Sequence, residues 1–193
     1  MVRWDGALIA STPRLLLRSF RRRDLAYYAA LNADPRVYEH LGGVPLSREH
    51  SDGIAEWAQQ CYEADGFGLL AVERRDDGAF LGMCGLHHQE SYPDDVEIGW
   101  RFASQFWGSG YATEAAQGWL EYGFSILGLP RIISMTDPEN ERSIAVMKRL
   151  GLTYDHEAEI TDDEIVFHAV IYTITASQWA NDNGRAHMEE SPS

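Results

Sequence analysis

QFWGSGYATEAA, residues 105–116, decides how the chain is read. Two glycines, Gly108 and Gly110, follow the aromatic pair Phe106 and Trp107 and directly precede a run of good helix formers. Glycine in a helix costs about 1 kcal/mol against alanine, so two of them here call for a physical reason. A turn where something must approach the backbone closely supplies one. The turn opens a helix, whose first N–H groups lack intrahelical partners, and an anion is their usual guest. A dinucleotide fold would carry a further glycine where Thr113 stands, and the Gly-Lys-Ser/Thr of a P-loop is absent. What is left is a strand, a glycine turn and a helix N-terminus. It serves either as a pyrophosphate cradle or as a plain strand-to-helix turn.

Working outward, VEIGWRFA (96–103) reads as the strand before the turn, and residues 108–128 as one long helix. Ala112, Ala115, Ala116, Trp119, Leu120, Gly123 and Leu127 share a face whose small residues allow close packing on a sheet. RIISMT (131–136) is a strand. DPENERSIAVMKRLG (137–151) is a helix with Asp137 or Asn140 as N-cap, Pro138 at its start and Gly151 past its end. LTYDHEAEI and EIVFHAVIYTI close the chain as a strand pair around the turn TDD. On the N-terminal side, RLLLRSF (14–20) reads as a strand. A helix follows with Leu25, Tyr28, Ala29 and Asn32 on one face, ended by Pro35, and Arg21–Arg23 reads as its solvated start. Residues 47–64 form a second helix, capped by Ser47, with the stripe Ile54, Trp57, Ala58 and Cys61. FGLLAVERR, DDG and AFLGMCGLHH form a β-hairpin, and QESYPDD (89–95) is a polar loop. The order is that of an α/β chain with a mixed sheet.

At 193 residues and 45 % hydrophobic content the chain has material for one cored domain, residues 1–180. Residues 181–193 read as a polar, disordered tail. Sixteen basic residues against thirty acidic ones give a net charge of −14, which argues against nucleic acid as a partner. No stretch reaches the ~18 apolar residues of a membrane span. Cys61 and Cys84 fit neither a disulfide framework nor a metal site. A cytoplasmic protein with no metal is the expectation.

The sequence VEIGWRFASQFWGSGYATEAAQGWLEYGF, with TPRLLLRSF before it and PENERSIAVMKRLG after it, resembles the GNAT acetyltransferases. It is most similar to their RimJ/RimL-like branch, typified by ribosomal-protein N-terminal acetyltransferases. The resemblance covers roughly residues 12–175. It implies the GNAT fold: a mixed, mostly antiparallel sheet of about seven strands, flanked by helices, with splayed central strands. It also implies acetyl-CoA as acetyl donor. The family signature Q/R-x-x-G-x-G/A fits in two registers, from Gln105 to Gly110 or from Trp107 to Ala112, and the second matches the branch better. The resemblance then implies cofactor contacts from Trp107, Gly108, Ser109, Gly110, Tyr111, Ala112 and Thr113. Main chain near Phe102 and Ala103 would meet the pantetheine arm, and Asn140 and Ser143 would lie on the cofactor side.

Acetyl transfer to an amine needs a base, a polarised thioester and a route for the leaving thiolate. Glu97, between Val96 and Ile98 on the central strand, is the candidate base, and burial would raise its pKa. A structural carboxylate is the alternative. Many family members carry a tyrosine seven residues after the motif asparagine. Here Met147 stands there and has no proton to give. Ser143 is the candidate to assist the thiolate, with helix capping as its alternative. His87 and His88 point to opposite faces of a strand, and His156 and His168 fall on the last strand pair. The acceptor is an amine, a protein N-terminus or a small molecule, and the protein is a monomer or homodimer. A non-catalytic coenzyme-A-binding module and an O-acetyltransferase are the competing readings. The acidic segments 89–97 and 157–164, with Asp162 and Asp163, offer a negative mouth for a protonated amine.

Overall fold

The computed structural model describes residues 3–162 and 165–181. The strands are β1 (Leu8–Ser11), β2 (Leu15–Arg18), β3 (Leu69–Arg74), β4 (Phe80–Gln89), β5 (Tyr92–Phe102), β6 (Arg131–Thr136), β7 (Thr153–Asp162) and β8 (Ile165–Thr175). The helices are α1 (Asp24–Asn32), α2 (Pro35–Tyr38), α3 (Arg48–Asp65), α4 (Tyr111–Ser125) and α5 (Glu141–Arg149). The sheet has eight strands, in the order β1-β2-β3-β4-β5-β6-β8-β7. The extra strand beyond the expected seven is β1, four mostly exposed residues with no buried alternation to announce it. Pairs β1–β2, β2–β3, β3–β4, β6–β8 and β7–β8 are antiparallel. β5 and β6 run parallel, paired at Val96↔Ile132 and Glu97↔Ile133.

Two compact units divide the described chain. One holds the residues up to His87 and Ile98–Trp119, the other His88–Glu97 and the residues from Leu120 on. In the first unit, Leu69, Ala71 and Met83 of the β3–β4 hairpin pack against Tyr28, Leu31, Ala55 and Ala58 of α1 and α3, with Phe20 and Val37. The buried side of α3 is Ser51, Ala55, Ala58 and Gln59. This corrects the expected stripe, because Trp57 is 43 % exposed. Gln59 is tolerated inside because its amide oxygen accepts the Phe20 N–H at 3.2 Å. Ser47 caps α3 as expected, accepting the His50 N–H at 3.0 Å.

A charged cluster also lies in this unit. Arg18, 1 % exposed, donates to Asp24 at 2.6 Å and to Glu73 at 2.9 Å. Arg21 reaches Glu73 at 2.6 Å, so the arginine run 21–23 is not merely a solvated helix start. Cys84 is fully buried on β4, and burial pushes its thiol far above the usual range.

In the second unit, Ile133, Ile160, Ala169 and Ile171 form a cluster with Tyr92, Met135, Ala158 and Phe167 packed against it. Residues 92–95 are strand rather than loop, since β5 begins at Tyr92. Pro93 is exposed there, where its missing N–H does little harm. The connection from β4 shrinks to Glu90 and Ser91. Asn140 caps α5, accepting the Ser143 N–H at 3.1 Å, which settles the choice between Asp137 and Asn140. The final turn's Asp163 and the tail from residue 182 lie outside the described residues.

Candidate active site

β5 delivers the chain to the glycine turn. Ala103 N–H donates to the Leu81 carbonyl at 2.9 Å, and the Ala103 carbonyl accepts the Phe106 N–H at 2.9 Å in a single 3-10 turn, Ser104–Phe106. The Trp107 indole N–H reaches back to the Phe102 carbonyl at 2.8 Å. Both main-chain groups of Ala103 are thus engaged inside the protein. The Phe102 N–H falls on the opposite edge of the strand, while its carbonyl is taken by the Trp107 indole.

Gly108 and Gly110 have φ of 75° and 80°. Side chains in that left-handed region crowd the following carbonyl, which is why the turn takes glycine. A β-carbon on Gly108 would meet nothing within 4 Å, so backbone conformation, not crowding within the protein, demands the residue. The Gly110 carbonyl accepts the Glu114 N–H at 3.0 Å, the first bond of α4. Tyr111, Ala112 and Thr113 therefore form the first turn, whose N–H groups have no intrahelical acceptor. The Thr113 hydroxyl oxygen is buried with no hydrogen-bond partner among the described residues.

Sequence reasoning missed the arginines on the neighbouring strand ends, of which Arg14 bonds the turn itself. Arg14 donates to the Ser109 carbonyl at 3.1 Å and lies 4.6 Å over the Tyr111 ring. Arg74 reaches the Tyr111 hydroxyl at 3.5 Å and is held by Asp77. The Arg74 donors, helped by the Ala79 N–H, lower the Asp77 carboxyl to about 2. Arg75 donates to the Thr12 carbonyl at 3.0 Å. Only position at the ends of β2 and β3 gathers them, so no local motif announces them. The turn, its open helix end, the Thr113 hydroxyl without a partner and the Arg14 guanidinium are the kind of arrangement that could hold an anionic phosphate group.

The other expected site residues lie in the second unit. Glu97 on β5 is 7 % exposed, and the Gln89 amide stands 3.4 Å from its Oε2. Gln89 also touches the Met135 sulfur at 3.7 Å and accepts the Ser91 N–H at 3.2 Å. The carboxylate is thus largely withdrawn from water, with an amide beside it. Asn140 donates to the Thr136 hydroxyl at 3.1 Å while capping α5, so both ends of its amide serve the β6–α5 junction. Ser143 is half-buried in the first turn of α5, and Met147 is fully buried one turn further on. His87 packs edge-on against Trp57, and His88 is exposed. His168 lies between Glu157 and Glu159, and His156 bonds to the Tyr92 hydroxyl at 2.8 Å. Among the described residues no group of histidines, cysteines and carboxylates could hold a metal ion, and no helix is long and apolar enough to cross a membrane.

The family profile of the acetyltransferase (GNAT) domain matches residues 14–153. The uncharacterized protein YkkB of Bacillus subtilis is 35 % identical over 145 residues, 74 % of this chain and 84 % of that protein. The spermidine N(1)-acetyltransferase of Escherichia coli K12 is 36 % identical over 147 residues, 73 % of this chain and 74 % of that protein. Among solved structures, an acetyltransferase from Agrobacterium tumefaciens superposes with a TM-score of 0.74 at 30 % identity, covering 86 % of this chain and 92 % of its own. A GNAT domain profile spanning most of the chain, on a fold shared with solved acetyltransferases, makes this protein a member of the GNAT family, an acetyltransferase that draws its acetyl group from acetyl-CoA.

Proposed function

We propose that the chain moves the acetyl group of acetyl-CoA directly to a primary amine in a ternary complex. The observation that carries the reading is the Gly108–Ser109–Gly110 turn at the head of α4, with left-handed φ at both glycines. In this reading Trp107 to Thr113 cradle the pyrophosphate, and the Phe102 N–H, on the edge that faces away from Leu81, pairs with the pantetheine arm. Acetyl-CoA supplies an activated thioester. Glu97 takes the proton that the amine must lose, directly or through a water. The Ser143 hydroxyl is the donor available to the thiolate, because Met147 has none. Asn140 holds the helix start that carries Ser143.

A cationic amine is the favoured acceptor class. The Escherichia coli relative is named for spermidine, and the exposed acids Glu90 and Asp94 beside the start of β5 would attract a protonated amine. The RimJ/RimL-like resemblance supports a protein N-terminus as the second acceptor. Release of free thiol from acetyl-CoA, measured over spermidine, an N-terminal peptide and an aminoglycoside, separates these. Turnover of an alcohol instead would make it an O-acetyltransferase.

Gly110→Glu places bulk and a like charge at the cradle, and calorimetry should then show no coenzyme A binding by a folded variant. Undiminished affinity would remove the turn from the cofactor site. Glu97→Gln should lower kcat by about 10²-fold or more near neutral pH with little change in coenzyme A affinity. An unaltered pH–rate profile would leave Glu97 a structural residue.

A further inference from the structure

Two sequence features beside the glycine turn are tied to each other as well as to it: Thr12-Pro13-Arg14 at the head of β2, and Glu114 in the first turn of α4. They meet within the first unit. The Glu114 carboxylate, 16 % exposed, accepts the Thr12 hydroxyl at 2.5 Å, the Arg14 main-chain N–H at 2.9 Å and Arg14 Nε at 2.6 Å. Arg14 then spends Nη1 on the Ser109 carbonyl at 3.1 Å. Its Nη2 stands 3.5 Å from where a β-carbon of Gly110 would be, and its guanidinium covers the Tyr111 ring. One side chain thus bonds Ser109, covers Tyr111 and lies alongside the Gly110 between them.

A carboxylate at this point needs an explanation, because it repels an incoming phosphate. Burial pushes the Glu114 carboxyl up, but the Thr12 hydroxyl and the Arg14 donors outweigh it and hold it below the usual range. It is therefore charged at neutral pH, and Arg14 cancels that charge. What Glu114 adds is direction. A guanidinium has five N–H donors in a fixed fork. With Nε held by Glu114 and Nη1 by Ser109, the plane is set and the Nη2 edge lies at the turn.

We propose that Thr12, Arg14 and Glu114 form a clasp that holds the Gly108–Gly110 turn in its anion-accepting shape and presents the Nη2 edge of Arg14 to it. Glu114 is a positioning residue that acts through Arg14. The clasp rests on the reading of the turn as the pyrophosphate cradle, which is tested on the wild-type protein alone: failure to bind coenzyme A would end that reading whatever the variants do.

The clasp is tested with Glu114→Gln and Arg14→Lys, each checked for folding by circular dichroism. The two donors compared are acetyl-CoA and S-acetylpantetheine, which has the thioester arm and no pyrophosphate. The expected result is a coenzyme A Kd raised about tenfold or more, as for a lost charge-assisted hydrogen bond. The fall in kcat/KM should be about tenfold larger on acetyl-CoA than on S-acetylpantetheine. Equal falls on the two donors would mean general damage and overturn the clasp, as would unchanged coenzyme A affinity in both variants. If Glu114→Gln does not fold, Thr12→Val removes one donor and should show the same donor-selective loss, smaller in size; its absence overturns the proposal.

Discussion

Arg18 shows how strongly one residue can be committed. It is buried with Asp24 and Glu73 as its carboxylate partners, and Arg21 shares Glu73. Burial opposes its charge, and the two carboxylates outweigh that and keep it protonated. Removing one partner of a buried ion pair strands the other charge, so Arg18→Ala should lower stability by about 3–5 kcal/mol in urea titration. Gly108 presents the opposite case. Nothing crowds it, yet its φ of 75° makes Gly108→Ala worth about 1–2 kcal/mol of stability through backbone strain alone. The glycine was legible in the sequence because its role is local. The arginine was not, because in LLLRSF it reads as one polar position on a strand, and its partner Glu73 lies 55 residues away.

At the scale of elements, the same division holds between near and distant causes. The caps Ser47 and Asn140 and the strand β6 follow from neighbouring residues, and they were readable. The face of α3 was not, because it depends on the buried partners that accept Ser51 and Gln59: Asn32 donates to the Ser51 hydroxyl and Phe20 to the Gln59 amide. The start of β5 was hidden by proline and two aspartates, of which Asp95 is held in place by Arg131. The β7–β8 hairpin has its own titration. The Glu157 hydrogen bond, against desolvation and with help from Glu159, raises the His168 pKa above its ordinary value of 6.5. The stability this adds is fully present below that value and is lost as pH rises through the folded-state pKa. The melting-temperature gap between wild type and His168→Gln should therefore be widest below the ordinary histidine pKa and narrow as pH rises above it. A gap independent of pH would mean that the histidine acts by packing alone.

For the whole molecule, charge is the property that sequence states most plainly and locates least well. Much of the acidity expected at a mouth is already spent: Asp95 on Arg131, and Glu157 and Glu159 on His168. Glu90 and Asp94 are the exposed acids left on the β4–β5 connection and the start of β5. Replacing them by Gln and Asn should lower kcat/KM for a cationic amine at low salt and leave it equal to wild type near 1 M, where the Debye length is about 3 Å. Parallel salt curves would remove these acids from substrate capture.

The buried thiol on β4 has a practical consequence of another kind. The chain has two cysteines; Cys84 is inaccessible, and Cys61 is partly covered with its thiol pushed up by burial and by Asp65. An aromatic disulfide dye added to native protein should therefore label at most one sulfur per chain, and slowly, since the thiolate is the reactive form. Labelling of the second sulfur then clocks the opening of the β3–β4 hairpin. At low denaturant, the rate at which Cys84 reacts should report the free energy of that opening, much as amide exchange does for a backbone N–H. The same dye that reads released coenzyme A would thus count the folded fraction of the enzyme in its own assay.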